Sequence, residues 1–118
     1  LDMLSFACAD TIAEAKAIAH FKPDIINPEP AELIGTDSGS SEDFIRESIR
    51  AVKSIDPHIL VEQAAGIRTG EQVYRNIILG ADGVGAASGI VNAEDPLAKV
   101  EEMIRSARMA YNDREVQG

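Results

Sequence analysis

The sequence has no tryptophan and only five other aromatic rings, two Tyr and three Phe, so it offers few flat surfaces on which nucleic-acid bases could stack. It is also short of positive charge. Eleven Lys and Arg stand against twenty Asp and Glu, a formal net charge of −9. Such a surface repels phosphate backbones and anionic headgroups, so neither nucleic acid nor membrane is an expected partner. A single cysteine, Cys8, can close no internal disulfide, which fits a reducing, cytoplasmic setting. No apolar run approaches the roughly 20 residues of a spanning helix. The opening "LDMLSFACAD" lacks the basic stretch of a secretory signal. It also lacks an initiating Met and starts almost on a strand pattern, so the segment is expected to be cut from something longer. There is no HExxH, no CxxC and no histidine cluster, so no metal and no cofactor are expected. What remains, 45% apolar and 26% charged over 118 residues, is the composition of one ordinary domain spanning 1–118.

Within that domain the apolar runs alternate with helix patterns. "LSFACA" (Leu4–Ala9), "IIN" (Ile25–Asn27), "HILVEQ" (His58–Gln63) and the glycine-rich "GVGAAS" (Gly83–Ser88) read as strands. Between them, Thr11 with Glu14 and Thr69 with Gln72 have capping-box spacing, and Pro23-Asp24 and Asp56-Pro57 end helices. Ile45, Ile49 and Val52 share one helical face, and Gly80 suits a helix C-terminus. Asp95-Pro96 opens a last helix, along which Leu97, Val100, Ile104, Ala107 and Tyr111 keep a stripe expected to be core. Residues 105–118 are expected to hold the end of that helix, and "NDREVQG" a frayed tail.

The order βαβαβαβα implies a parallel α/β sheet with covering helices, either open and doubly wound or part of a barrel. In both, ligands gather at the carboxyl ends of the strands. After the second strand stands Glu29, between Pro28 and Pro30. The prolines hold its backbone extended, so it is either a fixed general base or an exposed loop carboxylate. "AAGIR" (Ala64–Arg68) and "AASGIV" (Ala86–Val91) are small-residue loops that let backbone amides approach an anion. An acidic protein can hold phosphate that way without lysines. His20, His58, Lys16, Lys22, Lys53 and Lys99 fall on helices or at the opposite ends of the strands, which leaves Glu29 with no electrophilic partner. Cys8 is expected to be a buried structural thiol, and Glu62, unusual in a parallel strand, to pair with a residue outside this segment.

"PEPAELIGT", followed by "AAGIRTGEQV" and "GADGVGAASGIVNA", resembles the archaeal-type triosephosphate isomerases, whose segments read like EPPELIGTG, GAGI and GVLLASGVV. The resemblance runs through nearly the whole chain and matches the C-terminal (βα)4 half, strands five to eight, of a (β/α)8 TIM barrel. It implies an aldose-ketose isomerase of glycolysis and gluconeogenesis that interconverts glyceraldehyde 3-phosphate and dihydroxyacetone phosphate. By position, Glu29 is the implied catalytic base. Ala31, Glu32, Leu33, Ile34, Gly35 and Thr36 form the implied lid, with the Gly35 amide on the substrate phosphate. Gly66, Ala87 and Ser88 are the other implied phosphate-binding positions. The family's Asn-Lys pair and histidine precede this segment, so the resemblance implies a phosphorylated sugar as substrate, the N-terminal half of the same barrel as partner, a homo-oligomer, and little activity from this piece alone. The sequence departs from the family at Asp37, Ala64, Glu62 and Gln63, and Gln63 is placed to touch the lid. The other readings are a non-catalytic half-barrel that pairs with itself or a partner, and an isomerase of a tetrulose phosphate.

Overall fold

Each longer helix starts where a side chain can satisfy its first free amides. In the computed structural model, which describes residues 1–34, 36 and 38–118, Thr11 and Glu14 close a full capping box on α1 (Ile12–Ala19). Thr69 and Gln72 do the same on α3 (Gly70–Ile78). Ser41 caps α2 (Glu42–Ile55), and Asp95 followed by Pro96 opens α5 (Pro96–Gln117). Gly80 takes a positive φ of 119° just past α3, the left-handed turn that releases the chain from a helix. A four-residue α4 (Ser88–Val91) lies before α5.

Three strands are shorter than their apolar runs and the second is one residue longer: β1 (Phe6–Ala9), β2 (Ile25–Pro28), β3 (Leu60–Gln63) and β4 (Gly83–Val84). The expected strand Gly83–Ser88 is therefore corrected to two residues. Its remainder leaves the sheet, and Ser88 starts α4. The expected tail over 112–118 is corrected as well. α5 continues to Gln117 because Arg114 donates to the carbonyls of Ile77 and Ala81 at 3.0 and 2.8 Å. Asp113 also accepts from the Tyr74 hydroxyl at 2.8 Å.

All four strands are parallel, in the order β1-β2-β3-β4. Right-handed crossovers between successive neighbours put every helix on one side, and an order that never reverses leaves the other side bare. The buried residues obey this. Ile26, Val61, Ile45, Val52, Ala15 and Ala19 form one core between the sheet and α1–α2. Val73, Ile77, Met103 and Ala110 form a second between α3 and α5. Opposite them Phe6 and Leu60 stay 52% and 48% exposed. A doubly wound sheet would cover both faces; a bare inner face on a singly wound parallel sheet is the arc of half a (β/α)8 barrel.

Three expectations about burial change accordingly. Cys8, alternating with the buried Ala9, lies on the inner face and is exposed. Leu97, Ile104 and Tyr111 are exposed, because α5 turns Met103 and Ala110 inward instead. Gln63 does not meet the described residues of the lid. It is 1% exposed and points into the helix layer, where its Nε2 donates to Ser48 Oγ at 3.1 Å. Its Oε1 has no partner among the described residues. Ser48→Ala should therefore cost about 1–3 kcal/mol by stranding that amide, and Gln63→Leu added to it should recover most of the loss. Urea denaturation of the two variants measures both, and an equal loss in both would contradict the packing argument.

Candidate functional site

The carboxyl ends of the strands carry four loops, and the second is the most constrained. Pro28 and Pro30 are both buried, and Glu29 between them is half-buried. Its amide still donates to Ala9 at 2.9 Å, so the ladder holds its backbone one residue past β2. Asn27 Nδ2 lies 3.4 Å from Glu29 Oε2, a long contact that orients the carboxylate. Beyond it, Ala31–Leu33 forms a single 3-10 turn. Thr36 ties the end of that turn back on itself, its hydroxyl donating to the Leu33 carbonyl at 2.8 Å and accepting from the Ser38 amide at 3.2 Å. Ile34 stands 59% exposed at the tip. Gly35 and Asp37 lie outside the described residues.

The loop after β3 turns at Gly66, where φ is +62°. A Cβ there would sit 2.6 Å from the backbone of Ser38. The glycine thus lets two loops touch backbone to backbone. After β4, Gly89 packs so closely on the Ile67 carbonyl that a side chain would collide with it, which seats α4 on the same loop.

A cavity of about 460 Å³ opens between these loops. Glu29, Ile34, Ala64, Ile67, Gly85, Ala86, Ala87 and Ser88 line it. Of the positions singled out in the sequence, Glu29, Ile34, Ala87 and Ser88 therefore share one space. Gly66 stands behind it against Ser38, and Ala31, Glu32, Leu33 and Thr36 are not in its wall. Among the described residues the wall has no Lys, Arg or His. A polar cavity of about 430 Å³ lies on the other side of Ser88, lined by Arg68, Lys99, Glu94, Asp95 and Glu102 among others. It does not reach Glu29 and mixes both charge signs, so the smaller-residue cavity is the better candidate for an anionic ligand. His20 caps the far end of α1 and His58 precedes β3, both exposed and away from the cavity.

Two members of the neighbourhood were invisible as a pair in the sequence. Glu62 is half-buried on the inner face, and its carboxyl is held above the usual range by burial first and by the charge of Glu29 second. Gly85 makes room for it, since a side chain there would meet Glu62 Oε1. The unusual acid in a parallel strand was the signal, and its proximity to Glu29 was not readable. Among the described residues no three His, Cys, Asp or Glu gather as a metal site would require, and no helix is long and apolar enough to cross a membrane.

No family model matches the chain. Individual proteins do. The triosephosphate isomerase of Methanobrevibacter smithii is 42% identical over 106 residues, 87% of this chain and 48% of its own length. That of Methanothermus fervidus is 36% identical over the same shares, and that of Sulfolobus acidocaldarius 36% identical over 97% of this chain and 50% of its own. The chain thus spans about half the length of these relatives. Among solved structures, the Amycolatopsis orientalis BexX/CysO complex contains a chain that superposes with a TM-score of 0.74 at 23% identity, covering 98% of this chain and 45% of that one. The Thermoplasma acidophilum (S)-3-O-geranylgeranylglyceryl phosphate synthase, solved with sn-glycerol-1-phosphate, superposes with a TM-score of 0.62 at 19% identity over 81% of this chain and 36% of that one. At those identities the two superpositions speak for the fold alone.

Proposed function

Because the chain is related by sequence to the archaeal triosephosphate isomerases over about half their length, we propose that it is the C-terminal half of a sugar-phosphate isomerase, carrying the base and most of the phosphate seat. The observation that carries this reading is the placement of Glu29 on a fixed strand tip, across one cavity from Ala87 and Ser88. In the reaction, the Glu29 carboxylate takes the proton from the carbon next to the substrate carbonyl and leaves an enediolate, while the hydroxyl proton on that carbon passes to the former carbonyl oxygen by way of the polarising group. Glu29 returns the proton it took to the neighbouring carbon, so glyceraldehyde 3-phosphate and dihydroxyacetone phosphate interconvert with no net loss of atoms. Backbone amides around Gly35, Gly66, Ala87 and Ser88 hold the phosphate, and closing the lid at Ile34 excludes water from the enediolate. Among the described residues the wall supplies no cation or imidazole, so the group that polarises the carbonyl comes from the N-terminal half of the barrel, which also covers the bare inner face. A cytoplasmic homo-oligomer belongs to the same proposal.

The test is complementation. The chain is refolded with the half of the Methanobrevibacter smithii enzyme that it does not match, and that enzyme's own two halves serve as the positive control. Isomerisation of glyceraldehyde 3-phosphate should appear only when both halves are present. Full turnover by this chain alone, or none in the mixture while the control works, overturns the proposal. The bare inner face with its exposed Phe6 and Leu60 favours one other reading, a half-barrel that pairs with itself and catalyses nothing. A dimer that blocks complementation would favour it.

A further inference from the structure

The bare face of the sheet is not uniformly apolar. Along β3, Val61 and Gln63 are buried among the helices, so Leu60 and Glu62, which alternate with them, turn to the bare face. Along β2, Ile26 belongs to the helix-side core, which turns Ile25 and Asn27 the same way. The ladder pairs Phe6 with Ile25 and Cys8 with Asn27, and Ile25 with Leu60. The face therefore carries two rows. Phe6, Ile25 and Leu60 make an apolar one, and Cys8, Asn27 and Glu62 make a polar one a step nearer the strand tips, with Glu29 beyond it.

The polar row holds acceptors that no donor of this chain meets. Asn27 is only 6% exposed. Its Nδ2 is spent on Glu29, and its Oδ1 is buried without a partner among the described residues. Glu62 is half-buried and takes part in no ion pair among the described residues. Asp82 shares a cavity of about 210 Å³ on this face with Glu62, but Lys53 engages it at 2.7 Å and the Val61 amide at 2.9 Å. Among the described residues no Lys, Arg or His borders that cavity or the one that Glu29 lines.

We propose that this face docks a half-barrel that projects a basic side chain, Lys or Arg, against the Asn27–Glu62 row, and that the same row turns away a second copy of this chain. Covering the face takes a carboxylate and an amide oxygen out of water. An unpaired charge makes that costly, whereas an ammonium or guanidinium opposite supplies N–H donors to both acceptors. Two copies set around one barrel axis bring their rows to the same height. Glu62 then meets Glu62 with no cation between, and an inward-pointing charge of this kind is a device that blocks unwanted pairing of sheets. The basic group sits a row deeper than Glu29, so it is distinct from the group that polarises the substrate carbonyl at the strand tips. The proposal rests on the isomerase reading for the identity of the partner, the N-terminal half of the barrel, while the charge requirement is a property of this face.

The experiment is sedimentation velocity on this 118-residue chain as wild type, Glu62→Leu and Glu62→Lys, each first shown to be folded by circular dichroism. Glu62→Leu should form a discrete dimer, with self-association at least ~10-fold tighter than that of the wild type, because the buried like charges have gone. Wild type mixed with Glu62→Lys should also associate at least ~10-fold more tightly than wild type with itself, since one copy then presents the basic inner face. A wild type that pairs as tightly as Glu62→Leu overturns the proposal, and so does a mixture that associates no more tightly than the wild type alone. If Glu62→Leu misfolds or aggregates, Glu62→Gln removes the same charge at the same shape and takes its place. Failed complementation would remove the isomerase reading and leave these association constants where they are, so the two ideas fail separately.

Discussion

Glu29→Gln, placed in a barrel completed by its other half, should lower kcat at least ~10²-fold, the usual contribution of a positioned general base, while the affinity for a substrate analogue barely changes. The reason is geometric. Glutamine keeps the shape of the side chain and its contact with Asn27, and Pro28, Pro30 and the Glu29 amide bond to Ala9 keep the backbone in place. Only the ability to take a proton is lost, and that ability matters in the transition state and not in the bound ground state. Steady-state kinetics with a competitive phosphate analogue separates the two quantities. Near-normal kcat would remove the residue on which the isomerase reading stands.

Gly66→Val should do its damage differently, by roughly 2–6 kcal/mol of stability and a loss of phosphate affinity together. Gly66 has a φ of +62°, which costs a β-branched residue about 1–3 kcal/mol. Its new Cβ would also stand 2.6 Å from Ser38 C and O and 2.7 Å from the Gly39 amide. Those neighbours are backbone, so relief requires a loop to move, at a further cost of about 1–3 kcal/mol. The loop that moves is the continuation of the lid, so the seat of the phosphate shifts with it. Gly83→Ala is the matched control, because a Cβ there meets nothing within 4 Å. Denaturation of both variants, with phosphate-analogue binding by calorimetry, checks the pair. Equal stability of the two would show that the close approach of the loops is not what Gly66 is for.

The parts of this fold that were legible in the sequence are those whose cause is local. Thr11 with Glu14, Thr69 with Gln72, and Asp95 with Pro96 each act within one turn, and each helix starts where they say. The strand tip at Glu29 was legible because prolines act on their nearest neighbours. Misreadings came where a residue's partner is far away in the chain. Gly83–Ser88 looked like a strand by composition, but a strand lasts only as long as its neighbour, and pairing stops at Gln63–Val84. Leu97, Ile104 and Tyr111 share a stripe, and spacing reports a common face without reporting whether anything covers it. Gln63 looked close to the lid along the chain, whereas alternation in the strand sends it to Ser48. Glu62 drew notice as an acid in an apolar strand, yet its closeness to Glu29 depends on register and on the missing side chain of Gly85.

If another half-barrel covers the bare inner face, the stability of this chain depends on that half's concentration. Whatever binds a folded state and not the unfolded one stabilises it by mass action, by about 2.7 kcal/mol when present at a hundred times its dissociation constant. Phe6 and Leu60 are exposed on that face, so with such a partner the melting temperature would be set jointly by the chain's own core and by the free amount of the partner. Two such halves, each marginal when apart, would unfold as one when together. A substitution deep in either half would then weaken both, and its effect would shrink as the complementary half became more abundant.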